Sequence, residues 1–117
     1  MQTLKEKIEH LNELVLQGKA LDAFEMYYDD EVVMQENEAS PTVGKEANRR
    51  REHEFFGSIT EFRGASVLNV AVGDDVTMVV WHYDYTHKDW GKRSYRQVSV
   101  QHWKDGKIVK EQFFYGN

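Results

Sequence analysis

The first residues of the chain carry apolar side chains at helical spacing. The apolar positions are Leu4, Ile8, Leu11, Leu14 and Val15. Residues three and four positions apart share one face of an α-helix, so this spacing predicts a helix with one buried stripe. Thr3 and Glu6 match a capping box at its start, and Gly18 suits the left-handed residue that commonly follows a helix.

Two more helices and a short strand are predicted before residue 58. Residues 21–28 place Leu21, Phe24, Tyr27 and Tyr28 on one face, which predicts a second helix. The apolar run at residues 32–34 predicts a strand that ends near Glu36. Pro41 disfavours a helical conformation at the residue before it, so residues 38–42 are expected to form a loop. A third helix is expected from about residue 44 to residue 56, although few of its residues are apolar.

From residue 59 onward the pattern changes to the alternation of β-strands. Four strands are expected, over residues 60–72, 76–87, 94–103 and 108–115. The sequences GDD at residues 73–75 and KDGK at residues 104–107 are hairpin signals, and KDWGK at residues 88–92 marks the remaining turn. Helices followed by a run of strands predict an α+β fold, with the N-terminal helices packed on one face of a strongly curved, mixed or antiparallel sheet.

The stretch VVWHYDYTH, residues 79–87, interleaves two patterns that a strand sends to opposite faces. A hairpin centred on Trp90 pairs Trp81 with Ser99, Tyr83 with Gln97 and Tyr85 with Tyr95, provided that the register does not slip. The predicted inner face carries Trp81, Tyr83, Tyr85, Tyr95, Gln97, Ser99, Gln101 and Trp103. The predicted outer face carries Met78, Val80, His82, Asp84, Arg96, Val98, Val100 and His102.

The two faces predict different roles. Large aromatic side chains mixed with uncharged hydrogen-bonding groups are typical of small-molecule sites, so the inner face is expected to line a pocket. Ordinary core packing, with tyrosine hydroxyl groups at the rim, is the alternative. Valines among polar side chains on the outer face indicate a homodimer interface, with an ordinary solvated sheet as the alternative.

Composition narrows the class of protein. The chain has 117 residues, of which 40% are hydrophobic and 30% charged, which predicts a single globular domain over residues 1–117. The net charge of −5 opposes binding to nucleic acid. No apolar run approaches the roughly 20 residues that span a membrane, and MQTLKEKIEH lacks an apolar signal core, so a cytoplasmic protein is expected. With no Cys and no close-spaced His motif, neither a metal nor a cofactor is expected.

Three stretches together resemble a known superfamily. They are AFEMYYDDEVVMQENEASPTVGKEANRRREHEFF, the aromatic strand VVWHYDYTH and the closing hairpin HWKDGKIVKEQFFY. Their order is similar to that of the NTF2-like superfamily, and within it of the SnoaL-like proteins. The resemblance implies a cone, in which a bent sheet wraps around helices and leaves a small-molecule pocket, and often a dimer formed through the outer sheet face. Members include ketosteroid isomerases, polyketide cyclases, limonene epoxide hydrolases and dehydratases, as well as proteins that only bind or scaffold.

Two positions bear on which of those reactions the resemblance implies. Ser99 stands roughly where ketosteroid isomerases carry the acid of their oxyanion hole. Phe113 stands where epoxide hydrolases carry the last Asp of an Asp–Arg–Asp set. The resemblance therefore favours neither of these two reactions, and Phe113 is expected to line the pocket.

Acid/base chemistry in such a pocket needs an ionisable group whose pKa is shifted by burial or by its neighbours. Three residues are candidates. Glu36 ends the short strand, His53 lies on the third helix three residues before Phe56, and Glu111 lies two residues before Phe113. The alternative for each is a solvated or ion-paired surface group, which is the commoner situation for such side chains. The side of the sheet on which Glu111 lies is open, because KDGK allows either a tight turn or a bulge.

Two functions are therefore predicted from different classes. The first is a cofactor-free enzyme that uses Glu36, His53 or Glu111 for isomerisation, cyclisation, dehydration or hydrolysis of a small apolar substrate. The residues expected to hold that substrate are Trp81, Tyr83, Tyr85, Gln97, Ser99, Gln101, Trp103 and Phe113. The alternative is a non-catalytic module for binding a small ligand or for dimerisation. An enzyme needs at least one buried ionisable group pointing into the cone, which distinguishes the two.

Overall fold

The computed structural model describes residues 2–116 and contains three helices and six strands in one sheet. The helices are α1 Leu4–Leu16, α2 Ala20–Tyr27 and α3 Lys45–Gly57. The strands are β1 Tyr28–Glu36, β2 Thr42–Val43, β3 Ile59–Val72, β4 Val76–His87, β5 Gly91–Lys104 and β6 Lys107–Tyr115. The sheet order is β2-β1-β6-β5-β4-β3, and β1 runs parallel to β6 while the other neighbours are antiparallel. The predicted α+β fold with a mixed sheet is confirmed.

Both ends of α1 follow from local sequence, as predicted. The Thr3 side chain accepts a hydrogen bond from the backbone N–H of Glu6, and the Glu6 carboxylate accepts one from the backbone N–H of Thr3. At the other end Gly18 has φ +78°, and the N–H of Lys19 donates to the carbonyl of Leu14. These contacts satisfy backbone groups that the helix leaves unpaired at its ends.

The core lies between α1, α2 and the inner face of the sheet. Its buried members include Ile8, Leu11, Phe24, Tyr27, Val32, Met34, Val79, Trp81, Trp103 and Ile108. Tyr28, expected to be the last residue of the second helix, instead begins β1 with an extended backbone at ψ 134°. That change turns the Tyr28 side chain into the sheet interior, where it stacks on Phe24 at 4.9 Å between ring centroids.

The pairing of β4 with β5 differs from the prediction by two residues. Trp81 pairs with Gln97 and Tyr83 with Tyr95. The expected hairpin was centred on Trp90, whereas the observed turn is shorter because Gly91, at φ +77°, pairs with His87. The Trp90 ring stacks on His87 at 3.7 Å and helps to close this turn. A slip of two residues leaves each side chain on its predicted face, because side chains alternate with period two.

The last hairpin contains both a tight turn and a register shift of the bulge type, the two alternatives that the sequence left open. Asp105 and Gly106 both have positive φ and form a tight two-residue turn between Lys104 and Lys107. A register shift follows between His102 and Trp103. As a result Glu111 pairs with Gln101 and shares the inner face with it.

Helix α3 packs against β1 and β2 at one end of the sheet. Asn48 is buried and fixes this contact, because its side-chain amide donates to the backbone carbonyls of Thr42 and Gly44. The inner face of β4, β5 and β6 is covered less closely there, and Tyr83, Gln97 and Phe113 keep partial exposure. No helix within residues 2–116 is long and apolar enough to cross a membrane.

Candidate active site

Glu111 is a buried carboxyl group on the inner face of the sheet, with 3% of its surface exposed. The hydroxyl group of Tyr28 donates to its Oε1 atom, and the side-chain amide of Gln101 donates to its Oε2 atom at 2.8 Å. Tyr28 comes from β1 and Gln101 from β5, the two strands that flank β6. Glu111 is therefore held from both sides at the centre of the sheet.

Burial dominates the ionisation of Glu111. Loss of water raises the pKa of Glu111 from its ordinary value of 4.5 to about 7, and the hydrogen bonds from Tyr28 and Gln101 act in the opposite direction. A carboxyl group with a pKa near neutrality can both take and return a proton at physiological pH.

Glu52 is a second inner carboxyl group that the sequence analysis missed. It lies on α3, and burial raises its pKa to about 8, with further contributions from the charges of Glu111 and Glu36. Unlike Glu111, it keeps partial exposure to solvent. Its spacing from the buried Asn48 and the half-buried Phe55 places these residues on one helical face, and that spacing was the available signal.

Aromatic side chains of β4 and β5 lie on the same inner face of the sheet as Glu111. Trp81 and Tyr83 are stacked, with ring centroids 5.4 Å apart and planes 12° apart. The hydroxyl groups of Tyr85 and Tyr95 are hydrogen-bonded at 2.7 Å. Burial, followed by the charges of Glu111 and Glu52, raises the pKa of Tyr83 well above its usual range, so this hydroxyl group stays protonated.

The predicted lining residues lie on the inner face at two depths. The buried ones are Trp81, Tyr85, Ser99, Gln101 and Trp103. The partly exposed ones are Tyr83, Gln97 and Phe113. Trp103 and Gln101 are engaged in buried hydrogen bonds within the protein, whereas Tyr83, Gln97 and Phe113 keep contact with solvent.

The other two acid/base candidates, Glu36 and His53, are not hydrogen-bonded to Glu111. Glu36 accepts a hydrogen bond from Arg51 at 2.8 Å and another from the hydroxyl group of Tyr115 at 3.0 Å, so it forms an ion pair at the end of β1. His53 lies on the exposed side of α3. It follows Glu52 directly, and successive helical residues point about 100° apart.

The outer face of the sheet is as predicted from the alternation. Met78 and Phe114 are exposed there beside the partly exposed Val98. Asp84 on this face accepts a hydrogen bond from Arg63 at 2.7 Å. The charge of Asp84 is thus balanced by Arg63, beside the apolar side chains of this face.

Two open grooves lie on the surface, away from the carboxyl pair. One, of about 660 Å³, lies beside Trp90 and Arg93, and the other, of about 290 Å³, lies beside Lys7 and Asp105. Neither is lined by Glu52 or Glu111. Burial and charge, rather than either groove, therefore mark the candidate site. Among residues 2–116, no group of three or more His, Asp or Glu side chains is arranged to hold a metal ion.

Comparison with known structures supports the fold. A protein from Mesorhizobium loti, provisionally assigned as a SnoaL-like polyketide cyclase, is 29% identical, covers 97% of this chain and 100% of its own, and superposes with a TM-score of 0.88. A provisionally assigned isomerase from Rhodopseudomonas palustris is 12% identical over 98% of this chain and 93% of its own, with a TM-score of 0.76. An epoxide hydrolase from Mycobacterium tuberculosis, similar to limonene epoxide hydrolases, is 12% identical over 94% of this chain and 80% of its own, with a TM-score of 0.74.

The last two likenesses show the fold alone, since their identity to this chain is low. The comparison with curated proteins found no match. The sequence profile of the SnoaL-like domain, however, matches residues 2–115, nearly the whole chain. With its three helices on a mixed curved sheet, the chain belongs to the SnoaL-like domain family.

Proposed function

We propose that the protein is a cofactor-free acid/base enzyme acting on a small apolar or aromatic molecule, by isomerisation, cyclisation, dehydration or hydrolysis. The observation that carries the proposal is Glu111, an ionisable group buried on the inner face among aromatic side chains. A carboxyl group is seldom buried at that depth without a role, because removing its charge from water is costly.

The two carboxyl groups suit transfer of a proton. The pKa of Glu111 is raised to about 7 and that of Glu52 to about 8, chiefly by burial, and the charge of Glu111 contributes to the second value. Groups that interact in this way release their protons in two coupled steps. One member can take a proton from a substrate while the other supplies one, as an isomerisation or a dehydration requires.

The charges of Glu52 and Glu111 also limit the kind of substrate that the site can bind. Two carboxyl groups face the interior, whereas Arg51, whose charge acts on Glu52, is about half exposed and forms an ion pair with Glu36. An anionic substrate would be repelled, so a neutral substrate with an apolar or aromatic body fits better. Tyr83, Gln97 and Phe113 are the candidates for direct contact, because they remain partly exposed.

Proton exchange from a neutral aromatic ketone tests the proposal without knowledge of the natural substrate. The protein in D₂O is incubated with 2-tetralone, and loss of the α-proton signal is followed by proton NMR. We expect the native protein to accelerate exchange and Glu111→Gln to lose about 100-fold of that acceleration, which is a typical contribution of one general base.

Glu38→Gln is the matched control, since Glu38 is an exposed acid outside the site. It should retain the native rate. Equal rates for the native protein and Glu111→Gln would contradict the proposal for this substrate class.

A binding module is the second candidate, and one observation favours it. Both oxygen atoms of Glu111 already accept hydrogen bonds from inside the protein. If the protein only binds its ligand, 2-tetralone or a similar molecule should quench the fluorescence of Trp81 on binding. The exchange rate of the ketone should then be the same with the native protein and with Glu111→Gln.

We also propose that two copies of the chain pair through the outer face of the sheet. The exposed Met78 and Phe114, beside Val98, supply the apolar centre that such an interface needs. A cytoplasmic location, expected from the sequence, stays a prediction that fractionation of the host cells would test.

A further inference from the structure

A buried chain of hydrogen bonds ends at Glu111. The indole Nε1–H of Trp103 donates to the hydroxyl oxygen of Thr77 at 2.9 Å. The Thr77 hydroxyl donates to Oε1 of Gln101 at 2.7 Å, and Nε2 of Gln101 donates to Oε2 of Glu111 at 2.8 Å. All four side chains are buried, and Thr77 and Gln101 are 0% and 1% exposed. We call Trp103, Thr77 and Gln101 the donor relay.

The direction of the donor relay follows from the chemistry of its first member. An indole N–H can only donate, so the Thr77 oxygen accepts from Trp103. The single hydroxyl proton of Thr77 is then available for the carbonyl oxygen of Gln101. With its carbonyl oxygen so engaged, the Gln101 amide presents an N–H group to Glu111. Reversing any one bond would leave a buried polar group unpaired, which is costly.

The donor relay therefore stabilises the ionised form of Glu111 relative to the protonated form. An ionised carboxylate accepts from Gln101 and also from the hydroxyl group of Tyr28. A carboxyl proton on Oε2 would face the N–H of Gln101, and one on Oε1 would require the Tyr28 hydroxyl to turn away. No side chain within residues 2–116 donates a hydrogen bond to Glu52 in the same way.

We propose that Trp103, Thr77 and Gln101 are positioning residues that hold Glu111 as a proton acceptor, which makes Glu111 the base and Glu52 the proton donor of the site. The roles of the two carboxyl groups rest on the proposed function. The effect of the relay on the ionisation of Glu111 does not, because it can be measured without a substrate.

Other titratable groups also face Glu111, and each comes from a different element. They are Tyr28 of β1, Tyr83 of β4 and Glu52 of α3, with Glu36 of β1 acting on Glu52. Burial raises the pKa of Tyr28 and that of Tyr83, so both stay neutral near pH 7. Glu52 is the group near Glu111 that titrates in the same pH range.

The test is a carbon-13 NMR titration of the glutamate side-chain carboxyl signals, with the Glu111 signal identified by its absence in Glu111→Gln. Gln101→Met removes the last donor while keeping a similar length. The pKa of Glu111 should rise by about one pH unit, the usual effect of losing one hydrogen bond to a charged group. Thr77→Val, which keeps the shape of the side chain, should shift it in the same direction by less.

Thr60→Val is the matched control, because Thr60 is an exposed strand residue outside the relay. It should leave the titration of Glu111 unchanged. If Gln101→Met or Thr77→Val fails to fold, Trp103→Phe removes the indole N–H together with the five-membered ring and keeps a smaller aromatic ring in the core, and the pKa of Glu111 should again rise.

If the folded variants give the same titration curve for Glu111 as the native protein, the proposed role of the donor relay is wrong. The 2-tetralone assay separates this result from failure of the proposed function. If the pKa of Glu111 rises in the relay variants but the native protein does not accelerate ketone exchange, the role of the donor relay is supported and the proposed enzymatic function is contradicted. If both hold, the acid limb of the pH–rate profile should move upward with the pKa of Glu111.

Discussion

Glu52 and Glu111 share a cause for their raised pKa values but differ in their partners. Burial is the largest effect for both. Glu111 is compensated by hydrogen bonds from Tyr28 and Gln101, whereas Glu52 has mainly the repulsion of other carboxylates around it. At the scale of the residue, these partners make Glu111 the carboxyl group that ionises first and can accept a proton, and Glu52 the one that holds its proton to higher pH.

The raised pKa of Glu52 predicts stability that falls as the pH rises. Between its ordinary value of 4.5 and its value of about 8 in the folded protein, the folded state holds a proton that the unfolded state has released. Raising the pH through this range therefore lowers the free energy of unfolding. Glu111 acts in the same direction between pH 4.5 and about 7.

Substitution of Glu52 by Gln removes this titration and keeps a neutral side chain. The free energy of unfolding should fall between pH 5 and pH 8 by about 2 kcal/mol less in Glu52→Gln than in the native protein, since one pH unit corresponds to about 1.4 kcal/mol and partial exposure weakens the effect. Urea unfolding at the two pH values measures it. Glu54→Gln, an exposed neighbour on α3, should behave like the native protein.

At the scale of the element, the helix ends are specified by single residues. Gly18 follows α1 with φ +78°, a conformation in which an L-residue with a side chain is strained. A Cβ atom built there would meet nothing within 4 Å. The role of Gly18 is therefore conformational, and it allows the chain to turn from α1 into α2.

Replacing Gly18 with Ala should lower the free energy of unfolding by about 1 kcal/mol, because the backbone strain is not offset by a new contact. Urea denaturation measures the change. Gly57→Ala is the matched control, since a Cβ atom there also meets nothing within 4 Å and its φ is not in the strained range. Its stability should be unchanged or slightly higher, and an equal loss in both variants would contradict the role given to Gly18.

At the scale of the whole molecule, the parallel pairing of β1 with β6 assembles the site. Met34 pairs with Glu111, and this register brings β1 and its Tyr28 side chain alongside the last strand. Tyr28 and Glu111 lie 83 residues apart in the chain. The helices pack over one side of the sheet, and the described residues leave Met78 and Phe114 exposed on the other side.

The proposed dimer can be tested by its dependence on the outer face. Met78→Lys should shift the protein to the monomer in sedimentation velocity, because burying an unpaired ammonium group in an apolar interface is costly. Leu16→Lys is the control, since Leu16 is 50% exposed at the end of α1 and is not part of the outer sheet face. A native protein that sediments as a monomer at all concentrations would exclude this interface.

The sequence by itself determined the order of the main helices and strands and the alternation of faces along β4 and β5. Both depend on local periodicity and on turn residues such as Gly18 and Gly106, which act within a few positions. The faces of β4 and β5 were predictable even though their register was two residues off, because a slip of two keeps every side chain on its side. The family was predictable for the same reason, since it rests on the order and spacing of elements.

The tertiary structure alone decided which acidic residue reaches the interior. On α3, Glu52 and His53 are adjacent and differ by about 100° in direction. The helix has few apolar residues, so spacing from Phe55 was its main sequence signal for the inward direction. Its orientation is set by Asn48, which donates to the backbone carbonyl of Thr42 in β2. The donor relay to Glu111 likewise needed the register of three strands, because hydrogen bonds between side chains depend on distances that local periodicity does not contain.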